Sequence, residues 1–268
     1  MEGEAMTMLH AEYSHQTFVR PRLRSITRQD LLTALARGFE DFVAMPTHVI
    51  FLIAIYPIAG IIIAAVIFEY DLIPILFPLA SGFALIGPFA AVGLYELSRR
   101  REQGLDTAWT HAYELLTGRN GGAIAAVGFL LMLILIAWLI AAMGLYWALF
   151  GRATHDSVFA FAEEVLTTPR GWMLIVFGNL VGAAFSLVAL AVSAVSFPLI
   201  IDRGADAGTA IETSVALLQE NPLVMILWGL IVAGLLVIGM VPLFVGLALV
   251  LPILGHATWH LYRRAVLP

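Results

Sequence analysis

The sequence predicts an all-α polytopic membrane protein. It has six transmembrane helices and three cytoplasmic interfacial amphipathic helices, arranged as parallel internal repeats. Three observations carry this: long uncharged runs, a segment that recurs at a fixed offset, and arginines gathered on one side of the runs. Composition agrees. The chain is 61% hydrophobic and 12% charged, with a mean hydropathy of +0.93. Soluble domains carry about 25% charged residues.

The five uncharged runs are Val49–Phe68, Leu72–Tyr95, Gly121–Gly151, Gly171–Ile201 and Asn221–Tyr262. The last would extend about 63 Å as one helix, roughly two crossings of a 30 Å hydrocarbon core. Gly239 and Pro242 mark where it could turn back, which gives six spans. An even number places both termini on one side. Arg20, Arg22, Arg24, Arg28, Arg37, Arg99, Arg100, Arg101, Arg119, Arg203, Arg263 and Arg264 fall on the terminal side, and only Arg152 and Arg170 on the other. This 12-to-2 asymmetry predicts cytoplasmic termini by the positive-inside rule. Within the second external loop, SVFAFAEEVL predicts a short helix on the membrane surface.

Residues 1–26 are expected to form a cytoplasmic N-terminal segment. Glu2, Glu4 and Glu12 and the lack of an apolar run there predict no cleavable signal peptide, so the first span would act as the insertion signal. Residues 27–268 form the membrane domain, in units 27–104, 105–205 and 206–268. FPLASGFALIGPFAAVGLYELSRR, ending at Arg100, lies over VPLFVGLALVLPILGHATWHLYRR, ending at Arg264. Pro78/Pro242, Pro88/Pro252, Arg99/Arg263 and Arg100/Arg264 are among the identities.

A second pattern precedes each odd-numbered span. LARGFEDFVAMP, WTHAYELLTGRN and IETSVALLQENP align without gaps. Leu35, Phe39 and Phe42 correspond to Trp109, Tyr113 and Leu116, and to Ile211, Val215 and Leu218. Their i, i+4, i+7 spacing is one apolar face of a helix. Ala34, Ala108 and Ala210 correspond just before it. Thr27–Asp30 and Thr209–Glu212 read as capping boxes, and Asp106 can cap the middle copy.

The stretches SGFALIGPFAAVGLYELSRRREQG (residues 81–104) and LPILGHATWHLYRR (residues 251–264) resemble a bacterial family of six-span integral membrane proteins of unknown function. Members are often labelled cytochrome c oxidase subunit I-like. The resemblance covers nearly all of the chain after about Ser25 and implies a bacterial inner-membrane location and a respiratory link. It supplies no functional residues. The oxidase catalytic subunit carries several span-embedded haem and copper histidines, and none of the seven histidines here lies near mid-membrane.

Candidate sites are few. His256 and His260 share one helix face near the cytoplasmic end of span six, with His48 and His111 near the same membrane face. These four imidazoles suit either a metal or haem edge, or ordinary interface anchoring. No carboxylate is evidently paired with them. Metal and other cofactors are therefore not expected. Arg99, Arg100, Arg101, Arg263 and Arg264 could contact anionic lipid head groups, or serve topology alone.

Within the spans the polar residues Ser81, Asn179, Ser186, Ser193 and Ser196 are neutral, which argues against ion-coupled transport. Asn179 is expected to bond between helices. The glycines and prolines of spans two and six suit close packing with kinks, or broken helices lining a site. Zero cysteine excludes disulfides and thiolate chemistry. No phosphate-binding loop, zinc-ligand helix or nucleophile elbow is present, and GRNGG at 118–122 reads as a helix start. Membrane lipids and other integral membrane subunits are the expected partners, and nucleic acid is excluded. The sequence thus points to a non-catalytic accessory, assembly or scaffolding component. The alternative is a carrier or channel for a small neutral or lipophilic solute.

Overall fold

A computed structural model describes residues 20–45, 60, 73–151, 157–241 and 246–267. Among these the chain is helical, apart from one isolated bridge between Leu23 and Val266. The helices are α1 (Arg28–Ala44), α2 (Leu76–Ala90), α3 (Val92–Glu102), α4 (Thr110–Thr117), α5 (Gly121–Phe150), α6 (Val158–Thr167), α7 (Pro169–Ser193), α8 (Ser196–Arg203), α9 (Ala207–Glu220), α10 (Pro222–Met240) and α11 (Leu247–Ala265). A 3-10 turn, Ile73–Ile75, precedes α2.

Among the described residues, four helical stretches are long and apolar enough to cross a membrane: Ile73–Glu102, Gly121–Phe150, Pro169–Arg203 and Pro222–Met240. The expected first span, Val49–Phe68, lies outside the described residues save residue 60, as do His48 and Pro242. The expected sixth span forms α11, whose C-terminal half carries His256, His260, Arg263 and Arg264. Those residues keep it out of the four.

The stretch from Pro169 to Arg203 is broken between α7 and α8. Pro198 cannot donate to the carbonyl of Ala194, and its ring crowds that carbonyl. The break falls at Ala194–Val195, where Val195 leaves helical geometry at φ −130°, ψ 2°. Side chains repair it. The Val195 amide donates to Ser214 Oγ at 3.4 Å, and Ser196 Oγ donates to the carbonyls of Val192 and Ala210. Ser193 Oγ donates to the Ala189 carbonyl. One of the intramembrane serines, Ser196, thus serves the helix break.

Contacts between elements sort the helix termini into two ends. At one end the Arg24 amide donates to the Ala265 carbonyl and the Leu267 amide to the Arg22 carbonyl. Both described chain ends therefore lie together. The C-termini of α3, α8 and α11 meet there, through Arg263 with Glu102 and Asp202. The start of α5 joins them through Asn120, which donates to the Ile200 carbonyl. At the other end Phe161 of α6 packs on Tyr146, and Arg170 sits 5.0 Å over the Phe150 ring. The helix expected at SVFAFAEEVL is α6, capped by Ser157.

Three short helices sit at the first end, each packed on a helix that terminates there: α4 on α3, α9 on α8, and α1 on α11. The last pairing is the most extensive and joins the two extremes of the described chain. It is close because Gly38 has no side chain: a Cβ there would stand 2.6–2.7 Å from the Ala257 backbone.

The faces buried on neighbouring helices lie one residue before the large apolar positions, which the spacing sets toward bilayer or bundle. In α1 the buried positions are Leu31, Ala34, Gly38 and Asp41; in α9 they are Ala210, Thr213, Ser214, Ala216 and Leu217. Ala34, Gly38 and Asp41 take the same i, i+4, i+7 register as Ala210, Ser214 and Leu217. Phe39, Trp109 and Leu116, expected on the apolar face, are exposed, while Leu35, Phe42, Ile211, Val215 and Leu218 are half-buried. The side chain of Tyr113 lies outside the description. Small residues face the neighbouring helix because they allow backbones to approach. The large apolar residues are turned outward, toward where lipid would lie.

Candidate functional site: a buried carboxylate clamp

The densest polar cluster joins α1, α3 and α11. Asp41 is 4% exposed, Ser98 1% and His256 0%. Asp41 Oδ2 accepts from Ser98 Oγ at 2.5 Å and pairs with His260 Nε2 at 2.9 Å. Its Oδ1 accepts from Arg101 Nη1. Ser98 Oγ also lies 2.7 Å from His256 Nδ1.

The proton positions follow from donor counts. An ionised carboxylate only accepts, so the Ser98 hydroxyl donates its one proton to Asp41. It must then accept from His256, which fixes that imidazole with hydrogen on Nδ1. His260 donates through Nε2 for the same reason. Burial pushes the Asp41 carboxyl up, but the hydrogen bonds from His260 and Ser98, the His260 charge and the Arg101 bond outweigh it. They hold Asp41 below the usual carboxylate range.

The cluster contains Ser, His and Asp, yet its order is wrong for nucleophilic catalysis. A triad places the histidine between serine and carboxylate, so that it can take the serine proton. Here the serine stands in the middle and its proton points at the carboxylate. Ser98 and His256 are also closed to solvent. The arrangement can tie three helices together; it cannot present an activated oxygen to a substrate.

Other carboxylates do the same work nearby. Arg99 donates twice to Glu96, at 2.7 Å each. Glu102 accepts from Trp259 Nε1 at 3.0 Å and from Arg263 at 3.2 Å. Asp202 accepts from Tyr262 at 2.6 Å and from Arg263 at 3.4 Å. Asp30 takes Arg264 at 3.3 Å and closes the capping box with Thr27. Burial raises the Asp30 carboxyl, but Thr27 hydrogen bonds and the charges of Arg24 and Arg264 bring it below its ordinary value.

Each sequence-derived site residue can now be placed. Arg99, Arg100, Arg101, Arg263 and Arg264 all meet carboxylates of their own chain. His256 and His260 do share a face, and carboxylate partnering exists after all: His260 has Asp41, and His111 lies 3.0 Å from both Asp106 and Glu114. The sequence could not show it, since Asp41 is 219 residues from His260. His111 stands on α4 with its own acidic partners, not with the α11 pair. Glu114 and then Asp106 raise its pKa. Among the described residues no group of three His, Cys, Asp or Glu is arranged to hold a metal. Sequence reasoning missed Asp41, Ser98, Glu96, Glu102 and Asp202. The available signal was an acidic residue, Asp41, in register with Ala34 and Gly38.

A separate crevice lies among α2, α5 and α7. It measures about 70 Å³ and is lined by Phe77, Ser81, Leu85, Trp138, Asn179 and Ser186, with Gly178 and Gly182. Trp138 Nε1 donates to the Pro78 carbonyl at 2.9 Å. Asn179 donates to the Ile175 carbonyl of its own helix, not across helices as expected. Three of the five intramembrane polar residues therefore converge here.

The sequence pattern of a family described as predicted integral membrane protein (DUF2189) matches residues 76–202. The matched stretch runs from the start of α2 into the end of α8. It makes this an integral membrane protein similar to a family without an assigned activity. It carries neither the six-span number nor the oxidase label of the resemblance. No curated protein and no solved structure matches the chain.

Proposed function

We propose that the protein is a non-catalytic component of the bacterial inner membrane, an accessory, assembly or scaffolding subunit. One observation carries this reading: the carboxylates at the arginine-rich end are used between helices. Asp30, Asp41, Glu102 and Asp202 each bind a side chain from another element, and none converges on an open cleft with a nucleophile. A catalytic site needs the reverse, ionisable groups aimed at a reacting atom.

The topology that goes with this reading has six crossings and cytoplasmic termini. Met45 follows Asp41 at the arginine-rich end, while the Ile73–Ile75 turn packs on α6 at the opposite end. Three parallel units explain the packing of α4 on α3, α9 on α8 and α1 on α11, since each amphipathic helix then caps the preceding unit and the first closes on the last. Gly255 packs near Ala91, its counterpart at the offset of 164: a Cβ added to Gly255 would stand 3.4 Å from that of Ala91.

Gentle solubilisation from native membranes, followed by identification of co-purifying chains, tests the function. A stoichiometric integral membrane partner is the expected result. Recovery as a lone protein that moves a solute into liposomes would replace it with the second reading, a carrier for a small neutral or lipophilic solute. The crevice at Ser81, Asn179 and Ser186 favours that alternative, as it gathers uncharged polar groups within spans.

A further inference from the structure

We propose that the groove between α3, α4 and the start of α5 binds the phosphate of an anionic phospholipid. This rests on the membrane-spanning fold and is independent of the scaffolding reading. The groove encloses about 380 Å³ and is lined by Glu96, Arg99, Arg100, His111, Arg119 and Asn120, beside Glu114, Leu115 and Gly118. Its charges do not balance. Glu96 is the one carboxylate for two guanidiniums, Arg99 at 2.7 Å and Arg100 at 3.5 Å. Arg119 is exposed and makes no hydrogen bond or ion pair among the described residues. Glu114 and then Asp106 hold His111 and raise its pKa. Three guanidiniums, Arg99, Arg100 and Arg119, thus face two carboxylates along the lining.

The backbone adds donors. Asn120 precedes α5 without capping it; its side-chain amide is turned to the Ile200 carbonyl instead. The Gly121 amide donates to the Gly118 carbonyl at 3.0 Å, while those of Gly122 and Ala123 have no side-chain cap. At Gly122 a Cβ would meet nothing within 4 Å, so an oxygen can approach. Guanidiniums and free helix-start amides together suit a phosphate.

Two features select a phospholipid over free phosphate. The apolar run of α5 begins directly after Arg119 and Asn120, which sets the groove at the depth of lipid head groups. Trp109, 62% exposed, and Leu116, 48% exposed, stand on α4 beside it, where acyl chains and the interface would cover them. The five arginines singled out from sequence are tied to carboxylates, and the unpaired arginine of this groove, Arg119, was not among them.

The test uses the full chain in nanodiscs of phosphatidylcholine with or without phosphatidylglycerol, reading retained lipid by native mass spectrometry. Wild type should retain phosphatidylglycerol in preference to phosphatidylcholine. Arg119→Gln should weaken that preference roughly fivefold, as expected for one interfacial arginine, and Arg119→Lys should restore part of it. Arg119 has no partner to lose, so folding should be unchanged, as a melting curve would verify. Arg28→Gln, an exposed arginine on α1 outside the groove, should have no effect. An equal loss from Arg28→Gln, or no preference in wild type, would overturn the site. Displacement of the lipid by millimolar inorganic phosphate would overturn the lipid assignment.

Discussion

Gly38 lies against the backbone of Ala257, with room for hydrogen only: a Cβ on Gly38 would stand 2.6 Å from the Ala257 nitrogen. This one contact lets α1 and α11 pack along the join between the two described ends of the chain. Gly38→Val should force the helices apart and cost about 1–3 kcal/mol, the range for overpacking. Thermal unfolding in mild detergent measures it. Gly122→Ala is the control, because nothing lies within 4 Å of the added carbon. Equal melting temperatures for wild type and Gly38→Val would refute the contact.

Asp41 holds Ser98, His260 and Arg101 at once. Breaking a fully buried ion pair costs roughly 3–5 kcal/mol. Arg101 is 39% exposed, so solvent screening reduces the cost of Asp41→Ala to about 1–3 kcal/mol. The pH dependence has a definite sign. The folded pKa lies below the unfolded value, near 3.9. The stabilisation is therefore present above about pH 4 and lost as pH falls through the lower folded value. Melting curves from pH 7 to pH 3 should show wild type losing more stability than Asp41→Asn.

How far the fold could be read in advance differs by level. The apolar runs gave α5, α7 and α10 because an uncharged run of that length has little alternative to helix in lipid. The starts of α1 and α9 were legible from Thr27–Asp30 and from the residues around Thr209. The structure moves the second cap three residues earlier, with Asp206 accepting from the Thr209 amide at 2.9 Å. The i, i+4, i+7 spacing sets the large apolar side chains toward bilayer or bundle without choosing between them, and the face buried on the neighbouring helix lies one residue earlier. In a membrane the outside is apolar too, and Gly38 and Ala34 mark the inside. The clamp was illegible because its members, Asp41, Ser98 and His256, come from separate regions, and pairing across such distances leaves no spacing to detect.

Topology is open to direct test. The hydrogen bonds between residues 22–24 and 265–267 place both described ends together, and the arginine asymmetry is the ground for proposing that they are cytoplasmic. A periplasm-active reporter fused after Pro268 should give no signal, while one inserted at Asp156 should give a strong one. The opposite pair of results would invert the orientation.

Ser98 is expected to be unreactive. Its hydroxyl proton is committed to Asp41 at 2.5 Å, and its side chain is closed to solvent. A fluorophosphonate probe should leave the folded protein unlabelled in the membrane. Labelling that vanishes in Ser98→Ala would make this cluster a hydrolase site and remove the non-catalytic reading.

The last prediction concerns the histidines. His256 and His260 are four residues apart on α11, so they stand on one face of one helix. Two imidazoles so placed cannot grip a haem iron from opposite sides. One ring nitrogen of each is also engaged by the protein, His256 Nδ1 with Ser98 at 2.7 Å and His260 Nε2 with Asp41 at 2.9 Å. From sequence alone, replacing both by Gln would be expected to leave folding intact. The structure changes that expectation, because the double variant would leave Asp41 and Ser98 buried with poorly matched partners. A buried polar group so left costs about 1–3 kcal/mol. The His256→Gln, His260→Gln protein should therefore melt lower than wild type, with no change in visible absorbance or metal content. A Soret band in purified wild type that disappears in this variant would show that the two histidines bind a haem.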